Sequence, residues 1–293
     1  MHQLSDIGTI KEILTRHGFH FSKAMGQNFL TNPSVCPRMA ESCGGDYACG
    51  VLEIGPGIGV LTVELAKRFQ KVVSIELDHR LLPVLAETLE HYPNAKVIEG
   101  DVMEVDLARL IQEEFPDMRV YVCANLPYYI TSPVIMRLLE QRLPVESVTV
   151  MVQKEAADRI CALPGTRESG AVSVAVRYYA DPEPLFRVSR GSFLPAPKVD
   201  SAVIRLRIRK EPCVHVDDEP LFFSLVRASF GQRRKTLCNA AATGLGVSKE
   251  QLIKWMKQSG IPTQIRAEAM TMEQFATLSN QIFAARKEDL HGQ

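Results

Sequence analysis

The sequence lacks any long apolar run. No stretch approaches the roughly 20 residues that a helix needs to cross a bilayer. Residues 1–14, MHQLSDIGTIKEIL, also lack the basic start and the apolar core of a signal peptide. We therefore expect no membrane association and no export, and we predict a cytoplasmic location.

Cysteine pairs of the metal-binding or redox kind are also missing. The seven cysteines are odd in number, form no C-x-x-C pair and have no histidines at ligand spacing. We expect reduced thiols in the protein core rather than disulfides, and we predict no metal site.

Net charge is absent as well, because 34 Lys and Arg balance 34 Asp and Glu. This argues against a purely electrostatic nucleic-acid binder. The charge is nevertheless segregated, since residues 76–118 hold eleven acidic and three basic side chains, whereas residues 185–210 hold seven basic and one acidic. A further basic cluster follows at residues 227–235. Solvated surfaces and an RNA-binding surface both fit this pattern.

Short β-rich runs alternate with amphipathic segments, which is typical of a parallel sheet covered by helices. Strands are predicted over residues 51–55, 71–77, 95–100, 119–125, 147–153, 172–180 and 201–209. The last two are expected to pair antiparallel at the sheet edge. Helices are predicted over residues 219–230, 233–243, 248–258 and 272–284.

The sequence therefore predicts an α/β fold with a seven-stranded, mostly parallel sheet and a small all-helical C-terminal domain. We place the boundary near residue 210. Residues 1–210 would form the sheet domain with an N-terminal helical extension, and residues 211–293 would form the helical domain.

A glycine-rich turn follows the first predicted strand, in residues 53–62, EIGPGIGVLT. Without side chains at Gly55, Gly57 and Gly59, a ligand can approach the backbone closely. The spacing departs from the dinucleotide fingerprint G-x-G-x-x-G, because Val60 stands where glycine or alanine is required. A turn needed only for strand-to-helix packing is the alternative.

Acidic residues close the next two predicted strands. Glu76 ends the second strand, where a carboxylate can accept hydrogen bonds from both hydroxyls of a ribose. Asp101 follows the third strand and can accept a bond from the amino group of adenine. Together with the glycine turn, these acids favour S-adenosylmethionine, a nucleoside without phosphates. Solvated strand ends would explain either acid alone.

The fourth predicted strand ends in Asn125, Leu126, Pro127 and Tyr128. The amino nitrogen of adenine is a poor nucleophile, and two acceptors on its hydrogens would hold its lone pair toward a methyl group. We assign these acceptors to the Asn125 side chain and the Leu126 carbonyl. Tyr128 would stack on the base, with Pro127 stiffening the loop. A Pro-Tyr turn with an asparagine cap is the alternative.

Motifs along nearly the whole chain resemble the bacterial small-subunit ribosomal RNA adenine dimethyltransferases, the KsgA/RsmA type. They are KAMGQNFL (23–30), EIGPGIGVLT (53–62), IELD (75–78), EGDVM (99–103), NLPYYITSP (125–133), MVQKEAADR (151–159), FLPAPKVDSAV (193–203), FGQRRKTLCN (230–239) and RAEAM (266–270). The resemblance implies a Rossmann-like class I methyltransferase fold. It also implies dimethylation of N6 of two adjacent adenines in the 3′-terminal hairpin of 16S rRNA, with S-adenosylmethionine as methyl donor.

The resemblance also implies roles for individual residues. Cofactor contacts would come from Asn28, Leu30, Gly55, Gly57, Glu76, Asp101 and Asn125, and catalysis from Asn125, Leu126, Pro127, Tyr128 and Phe193. Phe193 would pack on the target base, although core packing explains it equally well. RNA contacts are assigned to Lys154, Arg159, Arg233, Arg234 and Lys235. The implied partner is 16S rRNA in an immature 30S subunit, during ribosome biogenesis, and we expect a monomer.

Three other functions are considered. A macrolide-resistance methyltransferase acting on 23S rRNA shares the QNFL and asparagine-proline motifs, but residues 230–239 and 266–270 favour the small-subunit enzyme. A non-catalytic RNA-binding assembly factor would not need the complete set of cofactor residues. A nicotinamide dehydrogenase is disfavoured because no histidine or lysine lies near a strand end as an acid.

Overall fold

The computed structural model describes residues 4–19, 28–232 and 234–291. Within these ranges the helices are α1 (Ile7–Arg16), α2 (Val35–Ser42), α3 (Val60–Ala66), α4 (Leu82–Thr88), α5 (Leu107–Glu114), α6 (Thr131–Glu140), α7 (Lys154–Cys161), α8 (Ala171–Tyr179), α9 (Glu219–Phe230), α10 (Leu237–Leu245), α11 (Lys249–Gln258) and α12 (Met272–His291). The strands are β1 (Phe29–Leu30), β2 (Gly50–Ile54), β3 (Lys71–Glu76), β4 (Ala95–Glu99), β5 (Val120–Asn125), β6 (Ser147–Gln153), β7 (Ala180–Val188), β8 (Phe193–Leu194) and β9 (Ser201–Ile208).

In the described part of the chain, seven strands form one sheet in the order β4-β3-β2-β5-β6-β9-β7. The pairs β4·β3, β3·β2, β2·β5 and β5·β6 are parallel, whereas β9 runs antiparallel to β6. The predicted seven-stranded, mostly parallel sheet is confirmed. The chain adds β3 and β4 on one side of β2 and then returns to its other side with β5. This reversal places a topological switch point at the carboxyl ends of β2 and β5, where open α/β sheets bind ligands.

The sheet core is built from continuous apolar strands, as expected for a parallel sheet that is covered on both faces. All five residues of β2 are buried, and they include the carboxyl side chain of Glu53. A core cluster on the α2 and α3 side includes Leu65, Phe69 and Phe193, together with four of the cysteines, Cys36, Cys43, Cys49 and Cys123.

The predicted strand over residues 172–180 is wrong, because residues 172–179 lie in helix α8 and residue 180 begins β7. Tyr178 and Tyr179 of α8 pack against Phe223 of α9, with ring centroids 5.2 and 5.5 Å apart. A short, mostly apolar run suits a buried helix as well as a buried strand, and periodicity cannot separate the two. The seventh strand is instead β7, in a proline-containing stretch that was not predicted to be a strand.

The chain separates into two compact units. The first contains residues 1–157 and 181–208, and the second contains residues 158–180 and 209–293. The first unit holds the sheet, and the second holds helices α8 to α12. The domain boundary near residue 210 stays a prediction, and the compact units differ from it in residues 158–180, which belong with the helices.

Candidate active site

A cavity opens at the carboxyl ends of β2, β3, β4 and β5, at the switch point of the sheet. In register, Ile54 of β2 lies beside Ile75 of β3 and Ala124 of β5, so the residues that follow these strands converge. The space between its walls, counted together with the solvent at its open mouth, is about 1090 Å³. Its lining includes every predicted cofactor-binding and catalytic residue: Asn28, Leu30, Gly55, Gly57, Glu76, Asp101, Asn125, Leu126, Pro127, Tyr128 and Phe193.

The glycine turn forms one wall of the cavity. Gly55 and Gly57 have left-handed φ angles of 69° and 60°, which glycine adopts without steric cost. A Cβ placed on Gly55 would meet no atom within 4 Å, because the space before it is open cavity. The turn therefore leaves its backbone accessible to a bound molecule.

Glu76 faces the cavity from the end of β3. Its carboxylate accepts hydrogen bonds from the Gly57 N–H at 3.2 Å and from the Asp78 N–H at 2.9 Å, one on each oxygen. These bonds fix the orientation of the carboxylate and leave each oxygen with capacity for a further bond. Burial raises the pKa of Glu76. The group can accept two ligand hydroxyls.

Asp101 follows β4, in a position similar to that of Glu76 at the end of β3. One carboxylate oxygen accepts the Met103 N–H at 2.8 Å. The second oxygen, Oδ2, accepts no hydrogen bond from any residue in the described ranges. An oriented acceptor thus faces a cavity in which an amino group can donate to it.

Asn125 is the last residue of β5 and is partly buried. Its side-chain amide forms no hydrogen bond with another described residue, so the amide is available to a ligand. The next residues are held in place, because the Ile130 N–H donates to the Pro127 carbonyl at 3.2 Å and Leu126 is buried. The amide therefore projects from a fixed turn.

Tyr128 contributes a half-buried ring to the same wall. Its hydroxyl lies 2.8 Å from the hydroxyl of Ser201, the first residue of β9. Burial raises the pKa of Tyr128, so the phenol is neutral at physiological pH. This contact anchors the hydroxyl end of the ring at the cavity.

Phe193 lies in β8, which pairs antiparallel with β1. The side chain is only 5% exposed and belongs to the core cluster, although it also lines the cavity. Leu30 is its strand partner. The Phe193 side chain therefore both packs in the core and lines the cavity.

Sequence reasoning missed several residues of this site. Leu77 and Tyr129 line the cavity with exposed side chains, and each directly follows a residue that was predicted. An exposed apolar side chain beside a motif indicates a binding site, but its exposure is known only from the structure. Ser201 had no such signal, since its partner is 73 positions away.

Glu53 was quoted within the glycine motif but received no role. It is fully buried, and its Oε2 accepts hydrogen bonds from the hydroxyls of Thr62 at 2.7 Å and Ser74 at 2.6 Å. Burial raises its pKa to about 7. The carboxyl therefore joins β2, β3 and α3 beneath the glycine turn.

The predicted RNA-binding residues lie outside the lining of the cavity. Lys154 is the first residue of α7, and Arg159 is exposed one turn later on the same helix. Arg234 and Lys235 are exposed in the turn before α10, which begins at Leu237 rather than at residue 233. Arg233 lies outside the described residues.

The described residues contain no group of three or more His, Cys, Asp or Glu side chains arranged to hold a metal ion. None of their helices combines the length and hydropathy that a membrane span needs.

The chain is similar to known rRNA methyltransferases. The chain is 48% identical over 277 residues to the ribosomal RNA small subunit methyltransferase A of Geobacillus sp. (strain WCH70), covering 93% of this chain and 95% of that protein. A dimethyladenosine transferase from Plasmodium falciparum has a similar structure, with a TM-score of 0.72, 26% identity and coverage of 89% of this chain and 98% of that one. The structure of the 23S rRNA methyltransferase ErmE gives a TM-score of 0.65 at 28% identity, covering 87% of this chain and all of that one.

The family model described as ribosomal RNA adenine dimethylase matches residues 18–283, which is most of the chain. That span includes the glycine turn, both acids and the Asn125 to Tyr128 segment. The class I methyltransferase fold and this match agree, and the chain therefore belongs to the ribosomal RNA adenine dimethylase family of methyltransferases.

Proposed function

We propose that this chain transfers methyl groups from S-adenosylmethionine to N6 of two adjacent adenines in the 3′-terminal hairpin of 16S rRNA. The observation that carries the proposal is that nucleoside-binding acids and the Asn125 to Tyr128 turn line one cavity. A methyl donor and an acceptor base can therefore meet within it.

The cofactor half of the cavity suits S-adenosylmethionine. Glu76 offers both carboxylate oxygens for the ribose hydroxyls, and Asp101 offers an unengaged oxygen for the adenine amino group. The open space before Gly55 admits a ligand against the backbone. Asn28 and Leu30 line the same cavity near the chain start. When bound, this cofactor supplies an activated methyl group.

The substrate half of the cavity positions an amine. The Asn125 side-chain oxygen and the Leu126 carbonyl would accept hydrogen bonds from the two N6 hydrogens, which holds the nitrogen lone pair toward the methyl group. Tyr128, held by Ser201, would stack on the base. Phe193 would contact the base on its other side. No side chain needs to remove a proton beforehand, because the amine becomes acidic only as the new bond forms.

The RNA would be held by basic residues away from the cavity. We assign contacts with phosphates to Lys154, Arg159, Arg234 and Lys235, and to Arg233, which the structure does not describe. We also propose that residues 211–293 form the domain that grips the ribosomal particle. The 48% identity to a protein named for the ribosomal small subunit favours a 30S precursor as substrate, with the chain acting as a cytoplasmic monomer in subunit biogenesis.

A methylation assay tests the proposal directly. Small ribosomal subunits from a strain without the methyltransferase gene, and large-subunit RNA from the same strain, are incubated with the chain and labelled S-adenosylmethionine. We expect label only in the small subunit, with primer extension stopping at two adjacent adenines of the 3′ hairpin. Label in the large-subunit RNA would indicate the macrolide-resistance activity. Cofactor binding without transfer to either would indicate an assembly factor.

A further inference from the structure

Two tyrosines follow Pro127, and they have opposite environments. Tyr128 is half buried with its hydroxyl bonded to Ser201, whereas Tyr129 is 58% exposed at the mouth of the same cavity. Tyr129 has no hydrogen bond to another described residue. An exposed aromatic ring beside a cavity is a ready surface for a planar ligand.

The backbone beneath Tyr129 is well fixed. Residues Tyr128–Ile130 form a single 3₁₀ turn in which the Ile130 N–H donates to the Pro127 carbonyl. Thr131, the next residue, is buried and donates its hydroxyl to the same carbonyl at 3.4 Å. Ordering this ring against a ligand therefore costs little backbone entropy.

The position of Tyr129 separates it from the cofactor contacts. The acids that suit a nucleoside cofactor follow β3 and β4, whereas Tyr129 follows β5, beyond the Asn125 turn. Leu77, the other exposed apolar residue of the lining, stands next to Glu76 on the cofactor side. Tyr129 therefore follows directly on the Asn125 to Tyr128 turn, to which the proposed function assigns the target base.

We infer that Tyr129 stacks on the base next to the target adenine, an inference that rests on the proposed function. A base that enters the cavity must leave the stack of its strand, so its neighbour loses a stacking partner. An aromatic ring at the mouth replaces that partner, and it accepts any base because every base has a π-face. When one adenine of the adjacent pair occupies the cavity, Tyr129 holds the strand beside it.

Kinetics on unmethylated small ribosomal subunits test this role. We expect Tyr129→Ala to lower kcat/KM for the particle by about 5- to 150-fold, the range that corresponds to one lost base–aromatic stack, mainly through KM. Tyr129→Phe should retain the parent value, because the ring rather than the hydroxyl makes the contact. The dissociation constant of S-adenosylmethionine, measured by calorimetry, should not change in either variant.

Tyr47→Ala is the matched control. Tyr47 is 68% exposed and lies before the amino end of β2, at the opposite edge of the sheet from the cavity. The Tyr47→Ala variant should have the same kcat/KM as the parent. Parent-like activity of Tyr129→Ala, a Tyr129→Phe variant as poor as alanine, or an equal loss in Tyr47→Ala would each overturn the inference.

A photocrosslink identifies the contacted base. With Tyr129→p-benzoylphenylalanine, irradiation of the complex with unmethylated particles should give a primer-extension stop at a nucleotide adjacent to a methylated adenine. A stop elsewhere in the rRNA, or none, would overturn the inference while leaving the proposed function intact. If the parent chain does not methylate the particles at all, the proposed function fails first and this inference fails with it.

Discussion

The hydroxyl oxygens of Tyr128 and Ser201 lie 2.8 Å apart, joining the turn after β5 to the first residue of β9. Ser201 is fully buried, and its backbone is in register with Gln153 of β6. The tyrosine ring is therefore oriented by the sheet itself, although 73 residues separate the two hydroxyls along the chain. Ser201 acts as a positioning residue for the proposed base-stacking ring.

The first prediction concerns this pair. Tyr128→Phe and Ser201→Ala each remove the same hydrogen bond, whose net value is about 0.5–1.5 kcal/mol. Each should lower kcat several-fold with little change in the dissociation constant of S-adenosylmethionine, and the double variant should be no worse than the poorer single variant. Fully additive effects in this double-mutant cycle would show that the contact does not orient the ring. Tyr128→Ala, which removes the ring, should be far less active than Tyr128→Phe.

A second prediction concerns Asn125, whose amide is not engaged by the described residues. Asn125→Ala should lower kcat by about 100-fold or more, because misplacing a reacting group has effects of that size. Cofactor affinity should be retained in part. Single-turnover methylation and calorimetry measure the two effects separately. Gln112→Ala, which removes an exposed amide on α5, is the control, and equal rates for the parent and Asn125→Ala would refute the catalytic role.

A third prediction compares two glycines with similar backbone geometry. Gly55 and Gly18 have φ angles of 69° and 62°, and a Cβ on either would meet no atom within 4 Å. Alanine at either position should lower the free energy of unfolding by about 1–2 kcal/mol because of its left-handed conformation. Only Gly55→Ala should also weaken binding of S-adenosylmethionine, because only its methyl group enters the cavity. Equal cofactor affinity in both variants would place the ligand elsewhere.

A fourth prediction follows from the buried carboxyl of Glu53. Its pKa is about 7 in the folded chain against an ordinary value of 4.5. The folded state therefore binds the proton more tightly than the unfolded state does. This contribution to stability is fully present below pH 4.5 and is lost as the pH rises through about 7. The shift corresponds to about 3 kcal/mol.

Chemical denaturation at pH 5 and pH 8 measures this contribution. The free energy of unfolding of the parent should fall by about 2–3 kcal/mol more than that of Glu53→Gln over this interval. Glu12→Gln, which removes an exposed carboxyl on α1, should behave like the parent. Parallel pH profiles for the parent and Glu53→Gln would contradict the prediction.

The fifth prediction addresses the basic turn before α10. Replacing Arg234 and Lys235 by glutamine should weaken binding to small-subunit particles. It should also reduce the log-log salt slope by about 1.4–1.8, since each phosphate contact contributes about 0.7–0.9. Lys254→Gln with Lys257→Gln removes two exposed lysines from α11 and serves as the control. An unchanged slope in the first double variant would remove these residues from the RNA contact.

The parallel part of the fold could be read from the sequence because its signals are local. Each of the first five predicted strands is a short β-rich run, and the residue or turn at the end of each of the first four predicted the ligand edge. Gly55, Glu76, Asp101 and Asn125 could therefore be placed together before any coordinates were known, since the carboxyl ends of parallel strands share one edge.

The remaining features depend on contacts that are distant in sequence. Residues 172–180 form a helix because Tyr178 and Tyr179 pack on α9, which lies about 40 positions later. Ser201 and Tyr129 differ from other serines and tyrosines only in their burial and neighbours. Neither property is encoded in a local pattern, so neither residue could be assigned a role from sequence alone.

The short ladder between β1 and β8 gives the start of the chain a role in the active site. Phe29 and Leu30 pair with Leu194 and Phe193, and the Thr31 N–H donates to the Ser192 carbonyl at 2.8 Å. An N-terminal truncation through residue 30 would remove the strand that pairs with Phe193, together with Asn28 of the cavity lining. Residues 28–30 are thus a structural component of the proposed active site, and a form shortened past them is expected to bind both S-adenosylmethionine and the target base more weakly.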